Sequence, residues 1–163
     1  MKATASIQHV AVSTETPFDL FRSNFEKHLG RFDFASYQKL VNESPSAETL
    51  QNYFAANGNS DRLLFFSTYD HGSLVSALSH QPQKAVTYIV GNPMIAAQMT
   101  KHDLRAALYA PLRVLVYADD AGQAHIEYDL PSSLFGQFGN SDVTKVALAL
   151  DEKLAKVIED ARN

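Results

Sequence analysis

The sequence predicts an α+β protein: a five-stranded, largely antiparallel sheet with helices on one face, in the order strand, helix, four strands, helix, plus a helical insertion at about residues 32–60. Three observations carry this reading. Short β-branched or aromatic runs end at obligatory turn residues, residues 123–129 alternate apolar with polar, and residues 142–161 hold a single apolar stripe of helical period. A chain of 163 residues, 45% of them hydrophobic, can bury one core but not two comfortable ones, so residues 1–163 are read as one domain.

Residues 7–13 are partly β-branched and stop at Thr14-Glu15-Thr16-Pro17, which reads as a first strand. A helix should follow. Thr16 is placed to accept the orphan N–H of Asp19, Pro17 suits the first helical position, and Asp19 suits the positive end of the helix dipole. Phe18, Phe21, Phe25 and Leu29 recur at helical spacing, and Gly30 can adopt the left-handed conformation that closes a helix.

Within the insertion, one short helical piece is expected around residues 37–41 and another over about 47–56. The second has Ser46 as its cap, Leu50 and Phe54 on one face and Asn57-Gly58 as its stop. Residues 62–69 are an aromatic run of strand length and read as a central strand.

Residues 84–90 are β-rich and end at Gly91-Asn92-Pro93, where Asn92 can cap a helix that Pro93 opens and that Ile95 and Met99 bury. Asp103 can cap a further turn or two through Leu108. Residues 112–118 and 123–129 alternate about an Asp119-Asp120-Ala121-Gly122 hairpin turn. In the second of these runs Ala124, Ile126 and Tyr128 point one way and Gln123, His125, Glu127 and Asp129 the other, so one sheet face is wet. The last helix carries Val143, Val146, Ala147, Leu150, Leu154, Val157 and Ile158 on its stripe and should lie across the sheet.

The charge balance narrows the function classes. Fourteen basic residues stand against 18 acidic ones, for a net charge of −4, and the basic residues are scattered singly. Affinity for phosphate backbones and for anionic lipid surfaces comes from clustered Lys and Arg, so neither nucleic acid nor a membrane is an expected partner. The absence of cysteine excludes disulfides, thiolate metal sites and a cysteine nucleophile, and fits a reducing compartment. Residues 1–12 lack the continuous apolar core of a secretory signal, and no apolar run approaches the roughly 18 residues that cross a bilayer. The expectation is a soluble cytoplasmic protein.

Four short motifs occur in order: His71-Gly72, Tyr88-Ile89-Val90-Gly91-Asn92-Pro93, Tyr109-Ala110-Pro111-Leu112 and Tyr128-Asp129-Leu130-Pro131-Ser132-Ser133. Together they resemble the family known as domain of unknown function 302 (DUF302, TT1751-like), most closely from Asp70 to about Leu134. The resemblance implies a TATA-binding-protein-like (TBP-like) fold and carries no agreed biochemical activity. Where many members have Tyr-Asn-Asp-Pro, this chain has Tyr128-Asp129-Leu130-Pro131, which moves the carboxylate by one residue.

Polar side chains beside turns are where a pocket would be built. His71 titrates near neutrality and could act as a general acid or base or touch a ligand; as a strand-end residue it could equally hold a turn. Asn92 could present helix N-terminal N–H groups to an anion, although Gly91, Asn92 and Pro93 also account fully for a strand-to-helix turn. Tyr109 and Tyr128 each offer an apolar ring with a polar tip, and Arg113 and Asp129 could bind a ligand or pair across the hairpin. Ser132 and Ser133 supply the ingredients of a hydrolase with His71 and Asp129 but lack the G-x-S-x-G elbow. The histidines show neither an i,i+4 pair nor the H-E-x-x-H spacing, His71 with His102 being the pair to test, and the sequence leaves any cofactor unknown.

The leading expectation is a binding module, a homodimer by the prevalence of two-fold oligomers, holding a small polar or anionic ligand. Its candidate contacts are His71, Asn92, Tyr109, Arg113, Tyr128 and Asp129, gathered in one hollow under the last helix. The alternatives are an enzyme using His71 or Asp129 as general acid or base, and an interaction module whose partner surface is the insertion.

Overall fold

A computed structural model describes residues 4–163, so the first three residues of the 1–12 segment considered for a secretory signal lie outside the described residues. The chain runs β1 (His9–Pro17), α1 (Phe18–His28), β2 (Gly30–Arg31), α2 (Phe34–Asn42), α3 (Ala47–Ala56), β3 (Leu64–Asp70), α4 (His71–Ser79), β4 (Ala85–Gly91) and α5 (Pro93–Thr100). A 3₁₀ turn (Leu104–Tyr109), β5 (Leu112–Ala118), β6 (Gln123–Asp129), α6 (Pro131–Gly136) and α7 (Ser141–Arg162) follow. The strands form one open sheet in the order β1-β6-β5-β4-β3-β2, antiparallel except where β2 meets β3.

The sheet therefore has six strands, not five, and the simple order of strand, helix, four strands, helix is interrupted by further elements. The sixth strand comes from Gly30. This residue does not close α1 in a left-handed turn but pairs with Leu64 in parallel, and a Cβ on it would lie 2.5 Å from both Asn59 Oδ1 and Leu64 Cδ2. A side chain at this position would have to displace the Asn59 and Leu64 side chains. Thr16 likewise does not cap α1: its hydroxyl donates to the Arg162 carbonyl oxygen at 2.6 Å, fastening the end of β1 to the end of α7.

The alternation of the strands explains the core. Val86, Tyr88, Val90, Val114, Val116 and Ile126 point to one face, where α1 brings Phe21 and Phe25 and α7 brings Ala147, Leu154 and Ile158. The other face carries His9, Ser13, Arg113, Tyr117, His125, Glu127 and Asp129. The insertion packs at the β3 edge through a small aromatic cluster, with Phe32 4.7 Å from Phe66 and Tyr37 6.1 Å from Phe54 between ring centroids. Among the described residues no helix is long and apolar enough to cross a membrane.

Candidate functional site

The register of β4 decides which predicted residues can meet. Asp70 lies opposite Val86 at one end of that strand, while Gly91 lies opposite Leu64 at the other and Val90 opposite Leu112. His71 therefore sits on one rim and Asn92 on the other, separated by about 20 Å of strand at about 3.3 Å per residue. The expected single hollow does not form, because the strand order puts these corners at opposite ends of the sheet.

Each candidate has a definite place. His71 opens α4 on the surface, and its neighbour Asp70 caps that helix, accepting from the Ser73 backbone N–H at 2.9 Å and its hydroxyl at 2.5 Å. Those two Ser73 bonds hold the Asp70 carboxyl below the usual range. Tyr109 packs its ring against Phe135 and Phe138, with centroids 6.1 and 5.9 Å away. Tyr128 is buried on the core face opposite Val114, and burial raises its phenol's pKa. Arg113 and Asp129 lie on the other face; Asp129 meets His9 rather than Arg113. The six residues are thus divided between two rims and two faces.

Asn92 is the most fully committed of them. Only 4% exposed, it accepts from the Met94 N–H at 2.8 Å as the α5 cap and donates to the carbonyl oxygens of Asn59 at 2.7 Å and Arg62 at 2.8 Å. Both amide protons and the acceptor are engaged. This side chain clamps the loop before β3 to the start of α5 and has no donor left for an anion.

Of the hydrolase ingredients, the Ser133 hydroxyl is spent in a similar way. Ser133 Oγ donates to the Leu130 carbonyl oxygen and accepts from the Gln8 N–H, while the Ser132 N–H donates to Asp151. His71 opens α4 and His102 follows α5, and among the described residues no group of three His, Cys, Asp or Glu is placed to hold a metal ion.

Two of the four corner motifs do converge. Gly91-Asn92-Pro93 and Ala110-Pro111, joined by a cis peptide bond, meet Tyr37 of the insertion and Phe66 around a cavity of about 360 Å³. Ile95, Met99, Leu112 and Leu150 form its apolar depth, and Ala96 and Thr100 line it from α5. The volume lies within the range of small-molecule sites. No Asp, Glu, Lys, Arg or His lines it, and an ion placed there would lose its hydration without a counter-charge. These walls offer no counter-charge to the anionic ligand expected from the sequence.

Two polar networks escaped the sequence reading. On the open sheet face His9 bridges two carboxylates, Nδ1 to Asp129 Oδ1 at 3.1 Å and Nε2 to Glu127 Oε2 at 3.0 Å, and Tyr117 Oη donates to Glu127 at 3.0 Å. The hydrogen bonds to Asp129 and then Glu127 raise the imidazole's pKa. In the core, Tyr88 Oη accepts from Arg22 Nε at 2.8 Å and donates to Glu26 at 2.7 Å, while burial drives its pKa upward. Both join residues more than 60 positions apart, which no local pattern discloses.

The fold and site can be set beside known proteins. The profile described as "Domain of unknown function DUF302" matches residues 38–161. A crystal structure described as an uncharacterized conserved protein DUF302 from Bacillus stearothermophilus is similar over 94% of this chain and 97% of that one, with a TM-score of 0.65 at 16% identity. At that identity the likeness is one of fold. No curated protein matches.

Proposed function

This chain belongs to the DUF302 family, and from that premise we propose that it is a cytoplasmic small-molecule binding module whose site is the corner cavity between the insertion, the Gly91-Asn92-Pro93 corner and the Ala110-Pro111 corner. The observation that carries the reading is a 360 Å³ hollow lined without a formal charge where three separate segments meet. Its ligand is neutral and mostly apolar, and Tyr37 and Thr100 supply the hydroxyls that orient it.

The test is a titration of the protein with indole, followed by backbone amide shifts and by thermal unfolding, because a ligand that binds the folded state stabilises it. Saturable shifts at Tyr37, Phe66, Ala96 and Thr100 are expected. Ala96→Phe, which fills the hollow from α5, should abolish them while leaving the protein folded. Shifts that never saturate, or that survive Ala96→Phe, would reject the assignment.

A homodimer is the second part of the proposal, and a specific surface favours it. Leu74, Val75 and Leu78 share one side of α4, with Leu74 63% and Leu78 76% exposed, on a helix that carries no Asp, Glu, Lys or Arg. Exposed apolar area of this kind marks contact surfaces, and an uncharged patch meets its own copy without repulsion. Leu78→Glu should shift the protein from dimer to monomer in sedimentation; a wild-type protein that sediments as a monomer removes this part and leaves the cavity untouched.

A further inference from the structure

A second hollow of about 390 Å³ runs between α5 and α7, behind the corner cavity, with Ile95 and Leu150 as the shared wall. Its floor is apolar, made by those two with Val146 and Ala149, and its rims carry three lysines and His102 against Asp61 and Asp142. Lys101 and His102 stand on the α5 side, and Lys145 and Lys153 stand on α7, eight residues apart with Ala149 between them.

The charges are unevenly spent. Lys153 Nζ is bound to Asp61 Oδ2 at 2.5 Å, and His102 Nδ1 lies 3.9 Å from Asp142 Oδ2. Lys101 and Lys145 have no ion-pair partner among the described residues. Three lysines against Asp61 and Asp142 leave the groove positive by one charge, in a chain whose net charge is −4. Two unpaired ammonium groups flanking an apolar floor match a ligand with one negative head and an aliphatic body, since each part then meets its complement.

We propose that the α5–α7 groove binds a small amphipathic monoanion, a carboxylate on a short aliphatic chain, with its head between Lys101 and Lys145 and its body over Val146 and Ala149. This site is independent of the corner cavity, which excludes charge. Octanoate is the probe, with acetate as the head without the body and 1-octanol as the body without the head.

Octanoate should give saturable amide shifts at Lys101, Lys145 and Val146, more weakly as salt is raised, because the attraction is between solvent-facing charges. Lys101→Ala combined with Lys145→Ala, two exposed positions, should weaken it about tenfold, the equivalent of about 1.4 kcal/mol. Acetate and 1-octanol should each bind more weakly than octanoate. Failure of octanoate to saturate, equal binding of 1-octanol, an unchanged double variant, or shifts at Tyr37 and Phe66 in place of the groove would each overturn the proposal. The last outcome would place the anion in the corner cavity and count against that reading as well.

Discussion

Replacing Asn92 by Ala removes three hydrogen bonds at once, and the cost can be assembled from the structure. Loss of the α5 cap to Met94 is worth about 1 kcal/mol. The Asn59 carbonyl oxygen, bound at 2.7 Å in a buried setting, loses its Asn92 donor at a cost of about 2 kcal/mol, while the Arg62 carbonyl is only partly buried and water can soften its loss to about 1 kcal/mol. The expected destabilisation is about 4 kcal/mol, read from urea unfolding as a lower midpoint with an unchanged slope. For a chain of this length that corresponds to a fall in Tm of about 8–16 °C. Asn92→Ser keeps a capping oxygen but neither donor, so it should recover only about 1 kcal/mol. Asn92→Asp keeps the acceptor, turns a carboxylate toward two carbonyl oxygens and should be at least as damaging as Ala. A loss below about 1 kcal/mol for Asn92→Ala, or a wild-type midpoint for Asn92→Ser, would refute the clamp and return Asn92 to the list of ligand anchors.

Other consequences can be checked on the same protein. Tyr88→Phe leaves Arg22 and Glu26 without their shared hydroxyl and should cost about 1–3 kcal/mol in urea unfolding; a neutral substitution would mean the triad is dispensable. Gly72→Ala places a Cβ 2.6 Å from the Ala85 nitrogen and 2.7 Å from the Gln83 carbonyl oxygen, both backbone, and should lower stability by about 2 kcal/mol or more, with α4 amides exchanging faster. His9 has a raised pKa in the fold, so its contribution is complete below its unfolded value near 6.5 and fades as pH rises through the folded value. Stability should therefore fall as pH rises above about 6.5 in the wild type and fall less in His9→Ala, and identical pH profiles would dismiss the bridge. Asp33, Asp70 and Asp103 are shifted downward by the N–H and side-chain groups that they cap, so their contribution is present above about pH 4 and lost as acid protonates them; amide exchange at the starts of α2, α4 and the 3₁₀ turn should rise first on acidification.

What the sequence disclosed was the chemistry that acts over a few residues. Ser46, Asn92 and Asp103 cap the elements that follow them, Gly58 and Gly122 take positive φ at the expected stops, and β5 and β6 turn about Asp119. Both β2 and α4 stayed hidden for identifiable reasons. β2 is two residues long, too short to carry an alternating pattern, and α4 buries little of its apolar side, so periodicity gave it no core-facing stripe. The Asp70 to Ser73 spacing was the one local signal that announced α4.

The site was harder to read than the fold. Which corners share a rim follows from the order β1-β6-β5-β4-β3-β2, and that order is set by pairings across tens of residues. His71 and Asn92 looked alike as polar residues at turns; the register of β4 alone sends them to opposite ends. The sequence grouped neutral and ionic candidates alike by their place beside turns, whereas the corner cavity is lined without a formal charge.

The pairing of His9 with Asp129 also bears on how the protein emerges from the ribosome. Strand β1 leaves the exit tunnel 120 residues ahead of the one strand that it joins among the described residues, an interval of roughly 6–24 s at ordinary rates of synthesis. Throughout that time its backbone donors and acceptors are bare, and a nascent-chain chaperone or a sister polypeptide on the same message can capture them. The seam between the first and sixth strands thus cannot close before β6 has emerged, and a change in synthesis rate lengthens or shortens that wait.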